Sequence, residues 1–88
     1  MIRQDLRPEV GQIKLSLHSN LVRYVGEKTN SFSWPIHEGE TIQSLIEKLK
    51  IPGEEIGLIV INGSTQKDRQ LVLHPGDEVK IFGLVGGG

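Results

Sequence analysis

Four apolar side chains, Ile42, Leu45, Ile46 and Leu49, recur at i, i+3, i+4 and i+7, and this stripe constrains the fold more than any other feature of the chain. The spacing predicts an amphipathic helix near residues 41–50. Thr41 stands where an N-cap is needed, Glu38 and Glu40 put negative charge beside the helix start, and Lys48 and Lys50 put positive charge at its end. Each arrangement suits the helix dipole. Ile51-Pro52-Gly53 then stops the helix. About nine residues of helix are not stable alone in water. The stripe therefore has to pack on a sheet.

The rest of the chain supplies one. Ile13, Leu15 and Leu17 alternate with Lys14, Ser16 and His18, and Phe32, Trp34 and Ile36 alternate with Ser31, Ser33 and Pro35. These are two half-buried strands forming a hairpin, with Pro35 marking an edge or a strand end. After Gly57, the continuous run Leu58-Ile59-Val60-Ile61 predicts a strand that is central or covered on both faces. Asn62-Gly63 is a turn signal, and a polar loop, Ser64 to Gln70, leads to the short apolar segment Leu71-Val72-Leu73, read as a short strand. His74-Pro75-Gly76-Asp77 carries Pro and Gly at the central positions of a type II turn. Glu78 to Phe82 forms the last strand, with Val79 and Ile81 inward. The expected core is Ile13, Leu15, Leu17, Trp34, Ile42, Leu45, Ile46, Leu49, Val60, Val79 and Ile81.

The order is strand, strand, helix, strand, short strand, strand. It predicts an α+β fold of the β-grasp, or ubiquitin-like, type: a mixed sheet with one main helix packed across one face. Residues 1–11 show no period and contain Pro8 and Gly11, so they read as a flexible N-terminal arm. The domain then spans 12–82, and residues 83–88 are a flexible C-terminal Gly-Gly tail.

Several function classes are disfavoured by composition. Eighty-eight residues make one domain. The absence of cysteine leaves no disulfide or thiolate metal site. Residues 1–44 carry five basic and five acidic side chains, and residues 45–88 carry five and six. No basic stripe can track phosphates or an anionic membrane surface, so neither nucleic-acid nor membrane binding is expected. The start, Met1-Ile-Arg-Gln-Asp5, lacks the order of a signal peptide, and a cytoplasmic location is the default. His18, His37 and His74 have no metal-ligand spacing, so no metal site is assigned. Trp34 shares a face with Phe32 and Ile36 and reads as a packing residue. Asp77 belongs to a turn rather than to a catalytic carboxylate pair.

Ile61-Asn62-Gly63, then Leu73-His74-Pro75-Gly76-Asp77-Glu78-Val79, then Ile81-Phe82 and a tail ending Val85-Gly86-Gly87-Gly88 resemble the ThiS/MoaD family of ubiquitin-like sulfur-carrier proteins. The resemblance extends back through Gly39-Glu40-Thr41-Ile42 and Leu45, and more faintly to Leu17-His18-Ser19-Asn20-Leu21, covering roughly residues 12–88. It implies that the protein is a cosubstrate rather than an enzyme, with its reacting group on Gly88. A ubiquitin-activating-type partner would use ATP to adenylate the Gly88 carboxylate, and a persulfide sulfur would displace AMP to leave a thiocarboxylate. That sulfur would go to molybdopterin, with this chain as the small subunit of a synthase beside a large subunit, or to the thiazole of thiamine through a thiazole synthase. The tail Gly83-Leu84-Val85, free of proline, leans to the thiazole branch; chain length and the Leu17–Gly26 region lean to molybdopterin. No bound cofactor is implied.

The residue types suit this chemistry. Glycines let a backbone thread a narrow channel without Cβ clashes. Six residues from Gly83 reach on the order of 20 Å at about 3.3–3.6 Å each. Strand parity puts Phe82 with Lys80, away from the core, so Phe82, Leu84 and Val85, with Gly86 and Gly87 beyond, are the candidate partner-binding residues. The competing reading buries Phe82 at the sheet edge. Two other functions share the same features: a ubiquitin-like modifier joined to lysines through Gly88, and a β-grasp interaction domain without tail chemistry.

Overall fold

The computed structural model describes residues 7–18, 21 and 31–84. Five strands, β1 (Glu9–His18), β2 (Ser31–His37), β3 (Ile56–Ile61), β4 (Ser64–Gln66) and β5 (Glu78–Gly83), form one sheet in the order β2-β1-β5-β3-β4. β1 runs parallel to β5; the other neighbours are antiparallel. The expected mixed β-grasp sheet is present, with β2 and its Pro35 at an edge.

The helix α1 spans Ile42–Leu49. The Thr41 hydroxyl accepts the Ser44 N–H at 3.1 Å, which supplies one of the acceptors that a helix start lacks. At the other end Lys50 takes a left-handed conformation, φ 61°, and closes the last turn through its N–H to the Glu47 carbonyl at 3.1 Å. Ile42, Leu45, Ile46 and Leu49 are all buried, in one core with Ile13, Leu15, Leu17, Ile59, Ile61, Val79 and Ile81. The helical stripe and the inward rows of the strands are thus two sides of one apolar layer.

Five details depart from the sequence reading. The strand β1 begins at Glu9 rather than after residue 11. A register shift between Glu9 and Gly11 hides its period, and residues 1–6 of the arm lie outside the described residues. Gly11 is required there, because a Cβ would stand 2.7 Å from the Pro75 side chain. The buried residues of β3 are Ile56, Ile59 and Ile61, whereas Leu58 is exposed and Val60 only half-buried. The helix covers one face of the sheet, so an unbroken apolar run still has an outward row. The short strand is β4, inside the segment read as a polar loop, and Leu71-Val72-Leu73 makes only an isolated bridge from Val72 to Thr41. That segment crosses the helix start instead: the carbonyls of Leu71 and Arg69 accept the N–H groups of Ile42 and Gln43 at 3.1 and 2.8 Å. Trp34 is half-buried and packs against the core from β2. Finally, Gly83 belongs to β5 and is buried, so the tail starts at Leu84.

Glu40 does more than complement a helix dipole. It is fully buried, accepting the His37 backbone N–H at 3.1 Å, the Lys48 ammonium at 3.0 Å and the Ser44 hydroxyl. Arg7 lies 3.9 Å away and the His37 ring 3.5 Å. Burial alone raises the carboxyl's pKa, but the hydrogen bonds from Ser44, Lys48 and His37, with the Lys48 charge, together hold it below the ordinary carboxylate value. Its own carbonyl accepts the Leu73 N–H at 2.7 Å. One residue thereby ties the end of β2, the helix and the 71–73 crossing together.

Candidate functional site at the root of the tail

Two turns set the register of the strand that leads to the tail. Asn62 and Gly63 both have positive φ, 51° and 85°, as a two-residue hairpin requires. In the second turn the Asp77 N–H returns to the His74 carbonyl at 3.1 Å, and Gly76 has φ 88°. Side chains join the two: Asn62 donates to Asp77 Oδ1 at 3.0 Å and accepts the Glu78 N–H at 2.9 Å. Asp77 Oδ2 also accepts the His74 N–H at 2.9 Å. Asp77 is a turn residue, as its place in the sequence suggests.

From this clip β5 runs between β1 and β3. Val79, Ile81 and Gly83 are buried on the helix side, while Glu78, Lys80 and Phe82 are half-buried on the other. Phe82 therefore faces away from the helix-covered core. It lies in register with His18 of β1 and Leu58 of β3, so the three make a row across the middle of the open face. The His18 ring stacks on Phe82, with centroids 4.5 Å apart and planes 16° from parallel. Leu58 is 42% exposed. The next row is Ser16, Lys80 and Val60, and beyond it Lys14 pairs with Glu78.

Leu84 continues the path of β5. Its N–H donates to the Glu55 carbonyl at 2.9 Å, which fixes the backbone at the start of the tail against the short 3-10 turn Gly53–Glu55. Its side chain passes over Gly57, where a Cβ would meet Leu84 Cδ2 and the Gly83 carbonyl, each at 3.2 Å. Leu84 is nevertheless 61% exposed. Phe82, Leu58 and Leu84 thus present apolar surface next to the point where the tail leaves. A depression of about 230 Å³ adjoins this surface, lined by Leu58, Thr65, Gln66, Lys67 and Arg69 among others. That volume is below the usual range for a small-molecule site, roughly 300–1,000 Å³.

Of the residues that the sequence singles out, Phe82 and Leu84 sit together at this root. Val85, Gly86, Gly87 and Gly88 lie outside the described residues. Leu58 and His18 were missed as members of the face. Counting parity back from the Asn62-Gly63 hairpin with Ile61 inward would have turned Leu58 outward. His18 reads from the sequence as an outward surface histidine rather than a metal ligand, with no part in a docking face. Among the described residues no group of three His, Cys, Asp or Glu could hold a metal ion, and no helix is long and apolar enough to cross a membrane.

The family described as Mut7-C ubiquitin matches residues 10–84. Three solved structures share the fold. The Haloferax volcanii HVO 2177 protein superposes with a TM-score of 0.73 at 20% identity, covering 98% of this chain and 94% of its own. A Pyrococcus furiosus protein, named as a candidate molybdopterin converting factor subunit 1, gives 0.69 at 21% identity, covering 86% of this chain and 100% of its own. SAMP1 from Haloferax volcanii gives 0.68 at 18% identity, covering 89% and 100%. No curated protein matches the sequence significantly.

Proposed function

We propose that this chain, which belongs to the Mut7-C ubiquitin family, is a sulfur carrier that reacts through the carboxylate of Gly88. The observation that supports this most is the placing of Phe82, Leu58 and Leu84 as an apolar surface on the open sheet face, where the glycine tail departs. An adenylating enzyme would grip this surface while the tail reaches its active site. In the chemistry proposed, a carboxylate oxygen attacks the α-phosphorus of ATP and pyrophosphate leaves. A persulfide sulfur then attacks the acyl carbon and AMP leaves, giving an acyl disulfide. A thiol attacks the far sulfur of that disulfide and releases the Gly88 thiocarboxylate. The protein is the substrate of these steps, not their catalyst.

For the acceptor, the name of the Pyrococcus furiosus neighbour favours molybdopterin, with a synthase large subunit as partner; the thiamine thiazole branch is the alternative. Incubation with ATP, the adenylating enzyme of the same organism and a persulfide donor, followed by intact-mass measurement, tests the reading. Exchange of one oxygen for sulfur in the C-terminal peptide is the expected result. An isopeptide bond from Gly88 to a lysine of another protein, with no sulfur gained, would favour the modifier reading. No change under any condition leaves an interaction domain.

A further inference from the structure

Of the three asparagines, Asn20, Asn30 and Asn62, only Asn62 is followed by glycine. That pairing has a chemistry of its own, because the backbone nitrogen of a glycine, with no Cβ beside it, is free to attack the side-chain carbonyl of the asparagine before it. Asn62 and Gly63 are exposed and form the two-residue turn between β3 and β4. The folded chain holds the Asn62 amide at both ends: Nδ2 donates to Asp77 Oδ1 at 3.0 Å, and Oδ1 accepts the Glu78 N–H at 2.9 Å. We infer that Asn62 is a deamidation site gated by this clip: it reacts when the clip opens, and its product cannot close the clip again.

A side chain anchored through both of its polar atoms cannot swing its carbonyl carbon onto the Gly63 nitrogen. Once both bonds are open, the reaction needs only water. The Gly63 nitrogen attacks Asn62 Cγ and gives up its proton, the Cγ–Nδ2 bond breaks, and ammonia leaves with that proton. The five-membered imide takes up water at either carbonyl, and the ring opens to aspartate or isoaspartate. Aspartate at position 62 offers an acceptor where the amide offered a donor, so two carboxylates meet across the contact with Asp77 and repel. Asp77 cannot simply turn away, because its Oδ2 accepts the His74 N–H at 2.9 Å and so holds the second turn. Isoaspartate adds a methylene to the backbone of a turn only two residues long, which breaks the register of Ile61 with Ser64. Either product loosens the end of the sheet where β5 begins at Glu78, the far end of that strand from Leu84.

The test follows the exchange of NH2 for OH in the tryptic peptide 51–67, which contains Asn62, during incubation of the full chain at neutral pH. Losing a hydrogen bond to a charged group raises the open fraction by about tenfold or more, so Asp77→Ala should deamidate faster than the wild type by at least that factor. Leu45→Ala weakens the core without touching the clip, and under conditions where it stays folded it should react at the wild-type rate. Equal acceleration in Leu45→Ala would overturn the proposal, because the opening would then be global unfolding. Wild type unfolded in urea supplies the comparison should Asp77→Ala fail to fold: it should deamidate at least about tenfold faster than the folded chain, and an unchanged rate would show that the clip protects nothing. Asn62→Asp stands in for the aspartate product and should unfold at a lower urea concentration than the wild type. An Asn62→Asp chain as stable as the wild type would show that the product closes the clip after all.

Discussion

Glu40 keeps its negative charge without any exposure to solvent because three hydrogen-bond donors, one of them the Lys48 ammonium, converge on its carboxylate. Glu40→Gln keeps the shape but leaves Lys48 facing a neutral amide, and should lower stability by about 1.5–3 kcal/mol, as loss of a hydrogen bond to a charged group does. The pH dependence follows from the lowered pKa. A carboxylate depressed on folding contributes stability above the unfolded value, near 4.5, and that contribution is lost as pH falls through the folded value. Urea unfolding of the wild type should therefore show stability declining as the pH is taken below about 4.5, with a shallower decline in Glu40→Gln. Identical slopes would show that Glu40 is not the depressed carboxylate. On the opposite face, Phe82→Ala removes half-buried surface that supports no helix contact, so calorimetry should find the fold intact while affinity for the adenylating enzyme drops tenfold or so, as at a binding hot spot. Phe82 was legible from parity alone. The Glu40 hub was not, because a Gly-Glu-Thr helix start looks the same whether its carboxylate meets water or Lys48.

At the scale of elements, α1 is the part of the fold that the sequence reveals most fully, because period and caps point the same way. Every residue of its stripe is buried, and Leu45 has no exposure. Leu45→Ala should destabilise by about 2–5 kcal/mol, since the surrounding strands cannot collapse into the vacated space. A shift of only a degree or two in thermal unfolding would mean that the stripe does not face the sheet. Strands were read with more error, for a physical reason: an apolar run has no parity until something covers one face. In Leu58-Ile59-Val60-Ile61 the helix takes Ile59 and Ile61 and leaves Leu58 to solvent, a choice that no local pattern records. The same holds for Leu71-Val72-Leu73, whose backbone is drawn to the orphan donors of the helix start rather than to a strand. At β1 the obstacle was a single residue, Gly11, which shifts the register so that Pro75 can approach.

Across the whole molecule, the sheet divides the labour: its helix-covered face holds the fold together, and its open face leads to the tail. The last described residue, Leu84, is tied to Glu55 at 2.9 Å, and the described core is built from residues between Ile13 and Ile81. Deleting Gly87 and Gly88 together should therefore leave unfolding unchanged, because glycines contribute no side chain to pack, while abolishing sulfur loading. Deleting Gly88 alone is the more searching test. It still ends the chain in Gly-Gly, but one residue nearer the domain, a retreat of about 3.3–3.6 Å. A reacting carboxylate must stand within about 3–3.5 Å of the atom that it attacks, and an error near 1 Å can cost about a hundredfold in rate. If docking through Phe82 and Leu58, as proposed, sets the reach of the tail, the shortened chain falls short by that distance. Adenylation of this variant, followed by pyrophosphate release, should fall by about a hundredfold or more while its affinity without ATP stays that of the full chain. A variant that reacts at the normal rate would show that the tail has slack and that docking does not set its reach. If both truncations also restore growth to a strain lacking the gene, the terminal carboxylate is not the working group, and the open face remains as the surface of an interaction domain.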